Sequence, residues 1–219
     1  MLYKEALWLG DLIGKTAPTK IFPMLNIGSS TAEFRKKTQP WIDGHVFDPA
    51  TEKGFCVVHT DIKEAPGVDI SGDFNDPEFV VQLAAMGFNS VLCSNLLEHV
   101  ENRQEICERI ETIVRPGGYV IVTCPYEYPY HPDPIDTLFR PTPCELEELF
   151  RHSKKKTSTI LSCGTHFDRL VRNPRLLFRT IARLCLPVYK PGVWWQTLVL
   201  QRWLFREFRV SCVVLEKQA

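Results

Sequence analysis

Apolar and polar positions along this chain fall into short blocks that alternate between strand-like runs and helix-like spacing. Ile21, Phe22, Met24, Leu25 and Ile27 form an apolar run that ends in the small-residue turn Gly28-Ser29-Ser30-Thr31. A buried strand entering such a turn and then a helix is how an open α/β sheet offers backbone N–H groups to a nucleotide-like ligand. The G-x-G-x-x-G spacing is not met, because Ser30 stands where the second glycine would fall. Taken alone, the turn reads as a plain strand-to-helix connection.

The same reading extends along the chain. Residues 4–13 predict a short amphipathic helix, and Thr31–Lys37 could open another before a loop rich in Pro, Gly and Asp that runs to about residue 54. Gly54–Asp61 and Gly67–Asp73 read as strands that each end in an acid. Pro77–Met86 is helical in pattern, Asn89–Ser94 is a fourth strand, and Tyr119–Cys124 is a fifth. Between the last two, Glu101–Val114 carries Ile106, Ile110 and Ile113 at helical spacing, and Arg115-Pro116-Gly117-Gly118 ends it. This alternation predicts an α/β fold with a doubly wound, mostly parallel sheet. Ligands bind beyond the carboxyl ends of such strands, where Gly28, Asp61, Asp73, Ser94 and Pro125 fall. Thr157–Cys163 and Phe208–Leu215 add two strands, expected as an antiparallel pair that completes a sheet of seven. Between them lies a basic and aromatic insert, about residues 165–206. A single domain over 1–219 is expected at this length.

Charge changes the picture more than composition does. Residues 1–150 hold 12 Lys and Arg against 23 Asp and Glu, while residues 151–219 hold 14 against 3. The eight cysteines are scattered without a C-x-x-C pair, which argues against a zinc site or a disulfide framework. Cys56, Cys93, Cys124 and Cys212 lie in or beside apolar runs and read as reduced, buried small hydrophobes. The first residues are interrupted by Lys4, Glu5 and Asp11 and do not read as a signal peptide. No apolar run approaches the ~18 residues a bilayer span needs. A cytoplasmic protein is expected, with a peripheral position at the inner membrane face left open.

In order, the chain presents NIGSST, HTDI, SGDF, SVLCSNLLEHV and IVRPGGYVIVTCPY. This succession resembles the class I S-adenosylmethionine-dependent methyltransferases. It is most similar to the branch with an LEHV segment after strand four and a P-x-D-x-x-x-R-P/F-T segment after strand five. Here those are Leu97-Glu98-His99-Val100 and His131–Pro143. The resemblance spans roughly residues 20–163 plus the last strand and implies a Rossmann-like fold with S-adenosyl-L-methionine as cofactor. It implies that Gly28, Ser29 and Ser30 approach the amino-acid end and ribose, that Asp61 accepts from the ribose hydroxyls, and that Asp73 takes the adenine amine with Phe74 against the ring. Ser94 and Asn95 would lie along the cofactor near the sulfonium. The chain departs from the family pattern at Asn26, where an acid is usual, at Ser30, and in the long loop before Asp61.

Plainer roles stay open beside these. Asp61 could cap a turn, and Asp73 could cap the segment before Asp76-Pro77. Tyr126–Arg140 carries Tyr126, Tyr128, His131, Asp133, Asp136 and Arg140 among prolines, which suits an acceptor-side wall or a covering loop. Methyl transfer to oxygen needs a base, and an imidazole titrating near pH ~6.5 serves. His131 is the first candidate and His99 the second, with Asp133 or Asp136 orienting the ring and Arg140 holding an anionic group or pairing with an acid. No metal is expected. The reading is O-methylation of a small-molecule or glycan-type acceptor, conceivably lipid-linked. Its alternatives are a scaffold that has lost cofactor binding, motivated by Asn26 and Ser30, and an NAD enzyme, disfavoured by the missing glycine.

In the insert, Asn173-Pro174 reads as a helix start, and Arg175, Arg179 and Arg183 follow at i, i+4 spacing. The bland expectation is a helical lid whose arginines pair with the acidic front half. The sharper one is contact with an anionic membrane surface through residues 172–206. Nucleic-acid binding is not expected, because the chain as a whole is not basic.

Overall fold

The computed structural model of the chain describes residues 1–131, 135–185 and 190–218. Its helices are α1 (Tyr3–Lys15), α2 (Pro18–Ile21), α3 (Asp48–Thr51), α4 (Pro77–Ala85), α5 (Arg103–Ile113), α6 (Pro143–Glu148), α7 (His166–Arg172), α8 (Pro174–Cys185) and α9 (Pro191–Leu200). Its strands are β1 (Met24–Ile27), β2 (Val57–Asp61), β3 (Ile70–Ser71), β4 (Phe88–Ser94), β5 (Val114–Glu127), β6 (Ser153–Thr165) and β7 (Glu207–Lys217). They form one seven-stranded sheet in the order β3-β2-β1-β4-β5-β7-β6. The pairs from β3 across to β5 are parallel, and β7 runs antiparallel to both β5 and β6. This is the expected mixed sheet with its antiparallel final pair.

The central strands feed two cores because alternate residues face opposite sides of the sheet. Leu25, Ile27, Val91, Cys93, Val120 and Val122 pack with Phe79, Leu83, Ile106 and Ile110 from α4 and α5. Met24, Leu92, Ile121 and Val214 face Ala6, Leu9 and Ile13 of α1 together with Ile42, Val46 and Phe47. Gly10 lets α1 press onto that second layer: a Cβ there would stand 2.3 Å from the carbonyl oxygen of His45.

The loop after β1 differs from the expected helix. Only a short helical start precedes two π-helical turns, Phe34–Thr38 and Asp43–Phe47. Arg35, within this stretch, is buried and its guanidinium turns inward, so the turn is wound around a charged core side chain. All eight cysteines are free. Cys93, Cys124 and Cys212 are buried as expected, whereas Cys56 is exposed because β2 begins one residue later.

Candidate active site at the carboxyl edge of the sheet

The turn after β1 is built from strained backbone and held from two sides. Gly28 (φ +63°) and Ser30 (φ +55°) both lie in the left-handed region, which costs a residue with a side chain roughly 1–2 kcal/mol. The Ser30 amide donates to Asp61 Oδ2 at 2.8 Å. From the other side, Arg35 Nη1 donates to the carbonyls of Ser29 (3.0 Å) and Ser30 (2.9 Å), and Nη2 donates to that of Gly67 (2.9 Å). Asp43 balances the guanidinium, accepting from Nε at 2.9 Å. Burial pushes the Asp43 carboxyl up and Arg35 opposes the shift. Asn26, at the usual place of an acid, is buried with Nδ2 3.0 Å from His59 Nδ1. Burial, helped by Arg35, pushes His59 down to about 4. A neutral imidazole can accept from an amide, and that geometry does not call for an acid at Asn26.

The acids after β2 and β3 also hold their own loops. Asp61 Oδ1 accepts from the Lys63 amide at 3.1 Å, and Asp73 Oδ1 accepts from the Asn75 amide (2.8 Å) and side chain (3.0 Å). Both keep lone pairs on a solvent-accessible carboxylate. Phe74 packs edge-on to Phe79 at 5.7 Å beside Asp73.

A feature not read from the sequence closes the ends of β4 and β5. Glu5, on α1, is fully buried. Its Oε1 accepts from Thr123 Oγ1 (2.6 Å), Asn95 Nδ2 (2.8 Å) and Ser94 Oγ (3.1 Å), and its Oε2 accepts from the Leu2 amide (2.8 Å). Ser94 and Asn95 therefore sit in a shared polar cluster under α1.

Beyond β4, the turn Leu97–His99 buries Glu98 completely. Burial raises the Glu98 carboxyl to about 7. Its Oε2 accepts from Cys124 Sγ at 3.7 Å, while Oε1 has no hydrogen-bond partner and lies 3.8 Å from His99 Nε2. His99 Nδ1 meets the carbonyl of Ile135. The rings of His99 and His131 meet edge-on at 5.3 Å, and those of Tyr128 and His131 at 5.2 Å. His131 Nδ1 is 3.2 Å from Asp136 Oδ2, close enough for an ion pair but outside hydrogen-bond geometry. Burial lowers the His131 pKa, with Asp136 opposing the shift.

Asp136 is the hub of this loop. Its side chain is wholly buried and accepts from Arg140 Nη2 (2.6 Å) and Nη1 (3.1 Å) and from the amides of His131 (3.0 Å) and Leu138 (2.9 Å). Burial alone would raise its carboxyl, but the Arg140 and amide hydrogen bonds outweigh that and hold it at about 2. The arrangement suits the orientation of His131 rather than direct contact with an acceptor. Tyr126 closes β5, and Tyr128 packs on Phe208 at 5.2 Å. Asp133 lies outside the described residues.

The sheet thus brings Asp61 onto the turn of Gly28, Ser29 and Ser30, Ser94 and Asn95 into the Glu5 cluster, and His99 of the turn after β4 against His131, Asp136 and Arg140 of the loop after β5. Glu98, His99 and His131 each bring one ligand atom within 4.8 Å of one another, a set whose atom types could pass a proton or hold a divalent cation. Two organising residues escaped sequence reading. Glu5 carried one usable signal, its position three residues into a helix start, where a carboxylate reaches back to a free amide. Arg35 carried none, since it opens a basic run that reads as a solvated face.

The comparisons agree with this architecture. A family model described as a methyltransferase domain matches residues 44–122. Among curated proteins no sequence matches the chain. Coclaurine N-methyltransferase bound to N-methylheliamine and SAH aligns with a TM-score of 0.58 at 15% identity, covering 98% of this chain and 71% of that one. A putative sarcosine dimethylglycine methyltransferase from Galdieria sulphuraria aligns with a TM-score of 0.60 at 11% identity, covering 98% and 85%. The cyclase SpnF aligns with a TM-score of 0.56 at 14% identity, covering 97% and 80%. At these identities the likeness is one of fold, and a cyclase on the same fold is a reminder that chemistry lives in the site.

Proposed function

We propose that the chain is a class I S-adenosylmethionine-dependent methyltransferase domain that methylates an oxygen of a small-molecule or glycan-type acceptor, a reading supported by its fold and by the methyltransferase-domain model that matches residues 44–122. The observation that carries the oxygen assignment is His131, half-exposed beside the buried Asp136–Arg140 pair. S-adenosylmethionine, when bound, supplies a methyl group on a sulfonium leaving group. The turn Gly28–Ser30 would receive its amino-acid end, Asp61 its ribose hydroxyls, and Asp73 with Phe74 its adenine; Ser94 and Asn95 would border it through the Glu5 cluster.

The remaining work falls to the protein's own groups. An acceptor hydroxyl attacks in line only if it is positioned and loses its proton as the new bond forms. His131, whose burial keeps the ring neutral around pH 7, takes that proton while Asp136 stabilises the imidazolium that results. Tyr128 fixes the other side of the ring. His99 stands behind it as a second proton carrier, in contact with Glu98.

Calorimetric titration with S-adenosylmethionine and S-adenosylhomocysteine, with NAD as control, tests the cofactor assignment. Micromolar binding of both sulfur ligands and none of NAD is expected. No binding by the folded protein would favour a scaffold, the reading that Ser30 and the Glu5 plug would then explain. For the base, His131→Ala should lower kcat roughly 10²–10⁴-fold and leave S-adenosylhomocysteine affinity intact. An unchanged rate removes His131 from the reaction.

A further inference from the structure

The insert carries a surface that neither the cofactor nor the catalytic loop uses. On α8, Leu177, Phe178, Ile181 and Cys185 are exposed and fall within about 100° of one another around the helix axis. Phe178 is 76% exposed. The arc that faces the protein holds the buried Thr180 and the half-buried Leu176 and Leu184, about 110° round the axis from the centre of that stripe. An apolar stripe therefore points away from the core, not into it. Arg175, Arg179 and Arg183 occupy a separate arc that begins about 60° beyond Phe178, and none of them makes an ion pair with a described residue. Among the described residues, the insert pairs with the acidic front half at its base, where Arg206 Nε lies 3.4 Å from Glu127 Oε2.

The neighbouring elements repeat the pattern. On α9, Trp195 and Leu198 are exposed, and α9 is tied to α8 by the Trp194 indole, which donates to the Leu184 carbonyl at 3.1 Å. Phe205, 78% exposed, follows. From Arg169 to Arg206 the sequence holds eight basic residues and no acid. An open groove of about 200 Å³ lined by Asn173, Arg175, Leu176 and Arg179 has the size and donors for a phosphodiester headgroup.

We propose that α8 and α9 dock this protein on an anionic lipid bilayer, with the apolar stripe in the interfacial zone and the arginines on headgroup phosphates. An apolar helical face bordered by arginine stems and carrying Trp and Phe is what an interfacial helix presents. A second copy docking through the same helix would set Arg175, Arg179 and Arg183 against their own copies. Nucleic acid would satisfy the arginines but leave Leu177, Ile181 and Leu198 facing water. No helix among the described residues is long and apolar enough to cross a membrane, so the contact is one of surface docking. The insert leaves and re-enters the sheet at Thr165 and Glu207, which pair with each other at the edge that bears Glu127 and the catalytic loop. Docking there brings that edge to the bilayer surface, where an acceptor carried on a lipid would be met. That last step rests on the methyl-transfer reading; the docking does not.

Flotation of the full chain with phosphatidylcholine vesicles, with and without phosphatidylglycerol, tests the proposal without any turnover. Binding to the anionic vesicles, weakened by salt and accompanied by a blue shift of tryptophan emission, is expected. The variant Arg175→Gln/Arg179→Gln/Arg183→Gln should bind at least ~10-fold more weakly, at the usual worth of a basic residue near an anionic surface. Phe178→Ser/Ile181→Ser should lose binding that salt does not modulate. All these positions are exposed, and an unchanged far-ultraviolet circular dichroism spectrum shows that the variants fold. Equal, poor binding to both vesicle types overturns the proposal, as does tight binding to single-stranded RNA that anionic vesicles fail to displace.

Discussion

Replacing Asp136 with asparagine removes one charge from the centre of the loop that carries His131 while keeping the side chain's size. Arg140 and two backbone amides hold the native carboxyl at about 2 against an ordinary value of 3.8. At about 1.4 kcal/mol per pKa unit, that difference is worth roughly 2 kcal/mol of folding stability. Because the folded-state pKa is the lower one, this contribution is complete above the ordinary carboxylate range and is lost as pH falls through about 2. Asp136→Asn should therefore melt roughly 4–8 °C lower at neutral pH in a chain of this size. At pH 3 about half the difference should remain, since the unfolded carboxyl is by then mostly protonated. Urea titrations of both proteins at the two pH values measure it directly. Removing Arg140 from the variant should also cost less than removing it from the native protein. A gap that does not shrink on acidification would refute the reasoning, because a shape effect of the amide carries no pH dependence. A melting point within a degree of native would refute it more simply.

Glu98 titrates the other way. Burial raises its carboxyl from 4.5 to about 7, so the native protein should lose stability as pH rises through that window. Glu98→Gln should flatten the loss, and parallel stability profiles from pH 5 to 8 would contradict it. Ser30→Gly relieves a positive φ and should stabilise the fold by up to ~1 kcal/mol while tightening S-adenosylhomocysteine binding; calorimetry that finds weaker binding would show that the serine hydroxyl is used. Burial lowers the His131 pKa. The acid limb of the rate profile should therefore fall below the ordinary imidazole value of about 6.5 and vanish in His131→Ala. A limb that survives the substitution belongs to another group.

The strands were legible because their apolar runs are short, uninterrupted and punctuated by glycine and acids, which suits a sheet buried on both faces. The Gly28 turn and the two acids could be placed by the same logic. Within the loop that carries His131, the sequence offered Asp133 or Asp136 as the ring's partner and left Arg140 between an anion and an acid; the choice of Asp136 for Arg140 needed the fold. Asp136 and Arg140 stand four positions apart, a spacing that on a helix would have suggested contact, yet this segment is not helical. Glu5 and Arg35 were hidden for a different reason. A charged side chain within an amphipathic helix or a basic run is ordinarily solvated, and only a tertiary partner such as Thr123 or the Ser29 carbonyl reveals that it is not.

The place of β7 bears on how the chain is assembled during synthesis. The strand is late in the sequence, yet it lies between β5 and β6 and is hydrogen-bonded to both. Until residues 207–217 emerge from the ribosome, the nascent chain holds a parallel half-sheet and a lone strand, with unpaired backbone at the two edges that β7 will bridge. Such edges recruit any extended segment nearby. A message truncated just ahead of this strand would yield two sticky edges and a ribbon with no partner, a product for chaperones and proteases instead of a smaller folded domain.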